Sequence, residues 1–161
     1  MSLCLGMEIS FDIKKYAVYD EVQKITSYIG AKKKEEKEDA YLRMAATDSD
    51  VDLLEQFWRE ACVNVIDELK PFILEVNYPE NSQTIVVADV FSIKLQVSDD
   101  FDQKLAPALG RVLEEFFINK ICSEWMFVTG DKEADYHKKL TEENGQELRR
   151  IIYYRNRPLR Q

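Results

Sequence analysis

The stretch VDLLEQFWREACVNVIDEL, residues 51–69, carries the strongest structural signal in the chain. Its apolar residues recur every three or four positions, which is the period of one face of an α-helix. The stripe consists of Val51, Leu54, Trp58, Ala61, Val65 and Leu69, flanked by Phe57, Cys62 and Ile66. Thr47 is a good N-cap for this helix, and Pro71 ends or kinks it. We therefore predict a helix at the centre of the core.

Residues N-terminal to this helix predict a strand and a second helix. Apolar Met7, Ile9, Phe11 and Ile13 alternate with polar residues, which is typical of a half-buried strand. An extended arm that pairs with a neighbouring molecule would show the same alternation. The helical stripe follows in Val18, Val22, Ile25 and Ile29, with Gly30 as its C-terminal cap. The charged run at residues 32–39 predicts a solvated loop or helix extension.

Residues C-terminal to Pro71 predict a β-hairpin. Residues 72–78 alternate like a strand, but they also fit a kinked continuation of the helix. A turn cluster follows at residues 79–82, and residues 90–97 read as a strand. In that strand Phe91, Ile93, Leu95 and Val97 face one way. Residues 98–102 then form a loop that leads into a helix.

Two further helices are predicted in the last third of the chain. The first has Pro107 near its first turn, a favoured place for proline. It buries Leu109, Val112, Leu113, Phe116, Phe117, Ile121 and Trp125. The second begins near residues 129–131, carries Tyr136, Leu140, Leu148, Ile151 and Ile152 on one side, and bends or frays at Asn144 and Gly145.

Together these elements predict one α+β domain over residues 1–161, mainly α-helical, with a small antiparallel sheet or β-hairpin. Residues 1–14 are the strand or extended arm, and residues 153–161 are a basic tail. A chain of this length buries roughly two thirds of its unfolded surface and needs no metal or disulfide. The three cysteines, Cys4, Cys62 and Cys122, lack C-x-x-C spacing and are expected to be reduced. The chain has neither a signal-peptide pattern nor a membrane-length apolar run.

No motif predicts catalysis, a cofactor or a metal site. Asp48, Asp50 and Asp52 resemble the start of a calcium loop, but Leu53 replaces the required glycine and Arg59 the bidentate glutamate. The single histidine, His137, stands beside two lysines, and we expect it at the surface. Trp58 and Trp125 lie on apolar stripes and are expected in the core. An active site dispersed over distant residues would leave no such trace.

Arginine is concentrated near the C-terminus of a chain whose net charge is −8. Residues 149–160 contain five arginines and no acid. Such a segment favours contact with an anionic partner. We predict an interaction site there, formed by Arg149, Arg150, Tyr153, Tyr154, Arg155, Arg157 and Arg160. The acidic clusters at residues 48–52 and 99–102 are candidate receivers in a second copy.

Three stretches carry a resemblance to a known family: AATDSDVDLLEQFWREA at residues 45–61, LQVSDDFD at 95–102 and IYYRNRP at 152–158. They resemble a protein family encoded by tailed bacteriophages and prophages of gut anaerobes, and the likeness extends from about Tyr19 onward. In size and style of elements the chain is also similar to small neck proteins of the head–tail connector and tail-completion class. The resemblance implies ring assembly and no catalytic residues.

We therefore expect a non-enzymatic structural protein of a phage or prophage particle. Its partners would be further copies of itself or other neck and tail proteins, with no membrane contact. It would be made in the host cytoplasm and reside in the virion. The alternative is a small accessory protein that binds nucleic acid through the basic tail, with an affinity that falls steeply as salt rises.

Overall fold

The computed structural model describes residues 6–34, 50–77 and 89–154, with side chains 32–34 excepted. The strands are β1 (Met7–Lys14), β2 (Ile73–Val76) and β3 (Val90–Val97). The helices are α1 (Lys15–Lys34), α2 (Val51–Leu69), α3 (Ala106–Thr129) and α4 (Ala134–Tyr153), and short 3-10 helices precede β2 and α3. The fold is α+β and mainly helical, as the sequence predicted.

The three strands form one antiparallel sheet in the order β1-β3-β2. Met7 pairs with Val97 and Lys14 with Val90, so β1 folds back onto its own chain. β2 pairs with β3 across a register shift between Ile73 and Glu75. Residues 73–76 are therefore a strand, and the hairpin interpretation is confirmed over them. Tyr78 and the turn at 79–82 lie outside the described residues.

One face of the sheet packs on the helices. The predicted inward residues of β3, namely Phe91, Ile93, Leu95 and Val97, are all buried. Phe91 contacts Phe117 of α3 at a ring-centroid distance of 5.4 Å. Phe117 in turn contacts Trp58 of α2 at 4.7 Å. Helix α3 thus lies between the sheet and α2, and it rather than α2 is the central helix.

The predicted core stripes are buried in α2 and α3 with one exception. Val51, at the start of α2, is 44% exposed. Both tryptophans are buried as expected, and so are the thiols of Cys62 and Cys122. Helix α2 ends at Leu69, two residues before Pro71, as predicted. Thr47 and Cys4 lie outside the described residues, and Asp50 occupies the N-cap position of α2.

Two predictions about glycine were wrong because both glycines occupy buried positions inside a helix. Gly30 does not end α1, which continues to Lys34 with Gly30 buried inside it. Helix α4 is continuous through Gly145, where a Cβ atom would lie 3.3 Å from Glu68 Oε1 and 3.7 Å from Phe116 Cε2. Close packing of α4 on α2 and α3, and not a bend, explains this glycine.

Tyr136 is also misplaced by the sequence pattern, since it is 56% exposed. The buried face of α4 comprises His137, Thr141, Gly145, Leu148, Ile151 and Ile152. The first half of this buried face contains no large apolar residue, so the apolar pattern there indicates the wrong side of the helix. Helix α4 begins at Ala134, after Gly130 has ended α3 in the left-handed conformation at φ 73°.

Candidate interaction surface

The predicted interaction residues begin on the last turn of α4. Four of them are described, and we call Arg149, Arg150, Tyr153 and Tyr154 the C-terminal corner. The other three, Arg155, Arg157 and Arg160, lie outside the described residues. The C-terminal corner is therefore the described part of the predicted interaction site.

Both arginines of the corner form ion pairs within the chain. Arg149 Nη1 binds Glu68 Oε2 and so joins α4 to α2. Arg150 binds Glu147 through two hydrogen bonds, one of them from Nε to Oε2 at 2.8 Å. That hydrogen bond lowers the pKa of Glu147 below its ordinary value. These two arginines thus hold the end of α4. An anionic partner would have to compete with Glu68 and Glu147 for them.

The two tyrosines of the corner are exposed. Tyr153 is 56% and Tyr154 is 45% exposed, although Ile151 and Ile152 just before them are buried. Tyr153 also contacts Phe72 edge-on, with ring centroids 5.3 Å apart. The corner therefore presents a partly supported aromatic surface directly before the basic segment, a combination common at protein interfaces.

A cleft between α2, α3 and α4 is the main feature that sequence reasoning missed. Its volume is about 400 Å³. Helix α2 contributes Asn64, Asp67 and Glu68, α3 contributes Phe116, Lys120, Ser123 and Glu124, and α4 contributes Lys138, Thr141 and Glu142. No local motif could have revealed it, because its residues come together only when three helices pack.

The cleft is lined by four carboxylates and two ammonium groups. Lys120 pairs with Glu124 at 2.7 Å, and Glu68 holds Arg149 at the rim. Asp67, Glu142 and Lys138 have no ion-pair partner within the part of the chain that the structure describes. These three side chains together carry a net charge of −1.

His137 is buried, with 6% of its surface exposed, so the prediction of a surface histidine was wrong. Its Nδ1 lies 3.2 Å from Asn119 Oδ1, and Asn119 Nδ2 donates to Asn144 Oδ1 at 2.8 Å. Asn144 Nδ2 then donates to Glu115 Oε2 at 3.5 Å. Because the terminal carboxylate only accepts, the chain of bonds makes Nδ1 of His137 a donor. This polar relay joins α3 to α4.

A second buried polar cluster joins α1 to α2. Lys15, only 8% exposed, binds Glu55 at 2.7 Å. Tyr19 donates to the same carboxylate oxygen at 3.1 Å, and its ring meets Trp58 edge-on. Burial, with Glu55 beside it, raises the pKa of Tyr19 far above its ordinary value. The tyrosine is therefore a neutral hydrogen-bond donor in this clamp.

The aspartates that the sequence offered as contacts for the basic segment are either exposed or hydrogen-bonded within their own loop. Asp99 and Asp100 are exposed in the turn after β3. Asp102 accepts a hydrogen bond from the Lys104 backbone N–H at 3.0 Å and so caps the 3-10 helix before α3. At the start of α2, Asp52 is exposed, and Asp48 lies outside the described residues.

The chain matches no protein-family model, and searches of curated proteins and of solved structures return no significant match. The surfaces described above therefore have to be interpreted from their own geometry and charge.

Two properties of the described residues bear on their chemistry, namely the state of the thiols and the arrangement of possible metal ligands. Burial raises the pKa of both the Cys62 and Cys122 thiols to about 12, so neither is a thiolate near neutral pH. Within residues 6–34, 50–77 and 89–154, no group of three or more histidine, cysteine, aspartate or glutamate side chains is arranged to hold a metal ion. None of the helices described there is long and apolar enough to cross a membrane.

Proposed function

We propose that this protein is a non-enzymatic assembly subunit of a phage or prophage particle, of the head–tail connector or tail-completion class. It contacts its neighbours through the C-terminal corner and the basic segment that follows. The observation that carries the proposal is the exposure of Tyr153 and Tyr154 at the point where the chain enters a segment with three arginines.

Charge complementarity supports contact between copies. The body is acidic and the segment at residues 155–160 has three arginines and no acid. A segment of one copy that lies on the body of the next makes a head-to-tail contact, and such contacts close into rings when the rotation per subunit divides the circle. The resemblance to phage neck proteins supports the same arrangement. Portal, capsid and tail genes beside this one would be expected in its genome.

The test is the absolute mass of the full chain, measured by light scattering on a sizing column at low and high salt. We expect an oligomer that dissociates as salt rises, because exposed ion pairs are screened. The variant R155E/R157E/R160E, called the tail-reversed variant below, should be a folded monomer by mass and circular dichroism.

A matched control makes the same change of charge elsewhere. Lys104, Lys132 and Lys139 are all exposed and lie away from the C-terminal corner in the chain. The variant K104E/K132E/K139E should keep the oligomer. Equal loss of assembly in both variants would indicate a general charge effect and contradict the proposal. Assembly that persists in the tail-reversed variant, together with loss of DNA binding, would favour the nucleic-acid alternative.

A further inference from the structure

The cleft between α2, α3 and α4 carries charged side chains on all three of its helices. One of its lining carboxylates, Glu68, already pairs with Arg149 of the same chain. Inside it, Asp67 and Glu142 stand on opposite walls, on α2 and α4, without an ion-pair partner among the described residues. Both side chains belong to exposed residues, so they are accessible to a partner.

Guanidinium is the group that fits this cleft best. The rim already shows the pairing, since Glu68 binds the guanidinium of Arg149. Phe116 also lines the cleft but is only 4% exposed, so the exposed carboxylates of Asp67 and Glu142 provide the recognition. A segment with several arginines can therefore fill the cleft with one side chain after another.

We propose that the cleft of one copy receives residues 155–160 of a second copy, with arginine side chains pairing to Asp67 and Glu142. This inference rests on the proposed assembly function and names the receiving surface for it. It differs from the two acidic clusters, at residues 48–52 and 99–102, that the sequence offered as receivers.

A second copy fits better than the same chain. Tyr154 ends α4 in an extended conformation, with φ −61° and ψ 133°. The cleft residue Glu142 lies eleven positions before Tyr153, about 16 Å along the helix axis. The carboxylate nearest the corner, Glu68, is occupied by Arg149 of its own chain.

The first test uses two full-length variants that each lose one half of the contact. The tail-reversed variant keeps an intact cleft. The variant D67N/E142Q, called the cleft-neutral variant, keeps an intact tail and nearly the same side-chain shapes. Each should be monomeric alone. Mixed in equal amounts they should form a 1:1 dimer and nothing larger in sedimentation velocity, because only one complementary contact remains. A mixture that stays monomeric would overturn the inference.

The matched control neutralises the rival receiver with D99N/D100N, which should assemble like the wild type. If D99N/D100N abolishes assembly and the cleft-neutral variant does not, the proposed function survives and the cleft inference fails. If the wild-type protein is itself monomeric at low salt, the proposed self-assembly is contradicted. A synthetic peptide of residues 153–161, titrated into the tail-reversed variant, then decides the cleft alone.

The peptide should bind the tail-reversed variant and bind about tenfold more weakly when D67N/E142Q is added, because two partly exposed ion pairs are lost. Equal binding to both proteins would overturn the inference. Peptide binding that requires Asp67 and Glu142 would support it.

Discussion

At the scale of the residue, His137 offers a probe of the α3–α4 contact because it is the single histidine. Burial lowers its pKa below the ordinary value of 6.5, and the nearby carboxylates of Glu133 and Asp131 oppose this effect only in part. The folded state therefore favours the neutral ring, while the unfolded chain takes up the proton at higher pH. The stability that neutral His137 contributes is complete above pH 6.5 and is lost as pH falls through the folded-state pKa.

We expect the free energy of unfolding in urea to fall between pH 7.5 and 5.5, and we expect His137→Gln to reduce this slope. The ring resonances of the single histidine, followed by NMR, should titrate below pH 6.5. A titration above the ordinary value would mean that the carboxylates outweigh burial, and stability would then rise over the same interval.

The same residue shows why part of the site was hidden from sequence. Two adjacent lysines suggest an exposed histidine, yet Lys138 and Lys139 are exposed while His137 between the helices is buried. Position relative to α3 decides its burial, and Asn119 and Asn144 satisfy the ring there through the relay. No periodicity in apolar residues reports such a polar contact.

At the scale of the element, the clamp between α1 and α2 should contribute more than any surface ion pair. Glu55→Gln removes the main partner of the buried Lys15 ammonium and leaves only the exposed Asp89, at 3.3 Å. We expect a loss of about 2 kcal/mol in the free energy of unfolding, below the 3–5 kcal/mol typical of a fully buried pair since Glu55 is partly exposed. Urea denaturation measures it.

The double variant K15M/E55Q should be more stable than Glu55→Gln alone, because no unpaired charge is then buried. The control is Asp20→Asn, which breaks the exposed Lys24 pair of 2.9 Å and should leave stability nearly unchanged. If Glu55→Gln lowered the free energy of unfolding no more than Asp20→Asn does, the clamp would not contribute measurably to stability.

Elements whose burial is one-sided were predicted best. Helix α2 and strand β3 each bury one face, so their apolar residues keep a clear period. Helix α3 contacts the sheet and the other three helices, and its apolar residues spread around it. The apolar residues of the more central helix are therefore less periodic, and for this reason the sequence pattern favours α2 as the centre. Pairing of β1 within its own chain depended on tertiary contact and could not be read from alternation.

At the scale of the whole molecule, the sequence accounted for the fold class but not for the cleft. The period of the apolar residues indicates which side of each helix or strand is buried. This is enough to predict helices that pack on a small sheet. The cleft forms only when α2, α3 and α4 pack together, and the contacts that join α4 to α2 include Gly145 beside Glu68 and the Arg149–Glu68 pair. Both are single contacts between distant residues.

The shared core predicts that the molecule unfolds as one cooperative unit. Trp58 on α2 and Trp125 on α3 belong to the same buried cluster, which also includes β3 and the end of α4. In single-tryptophan variants, Trp58→Phe and Trp125→Phe, fluorescence should report the same urea midpoint as the helical circular dichroism of that variant, as for a two-state domain. Separate midpoints would show that α2 and α3 do not unfold in one step, and they would contradict a single folding unit.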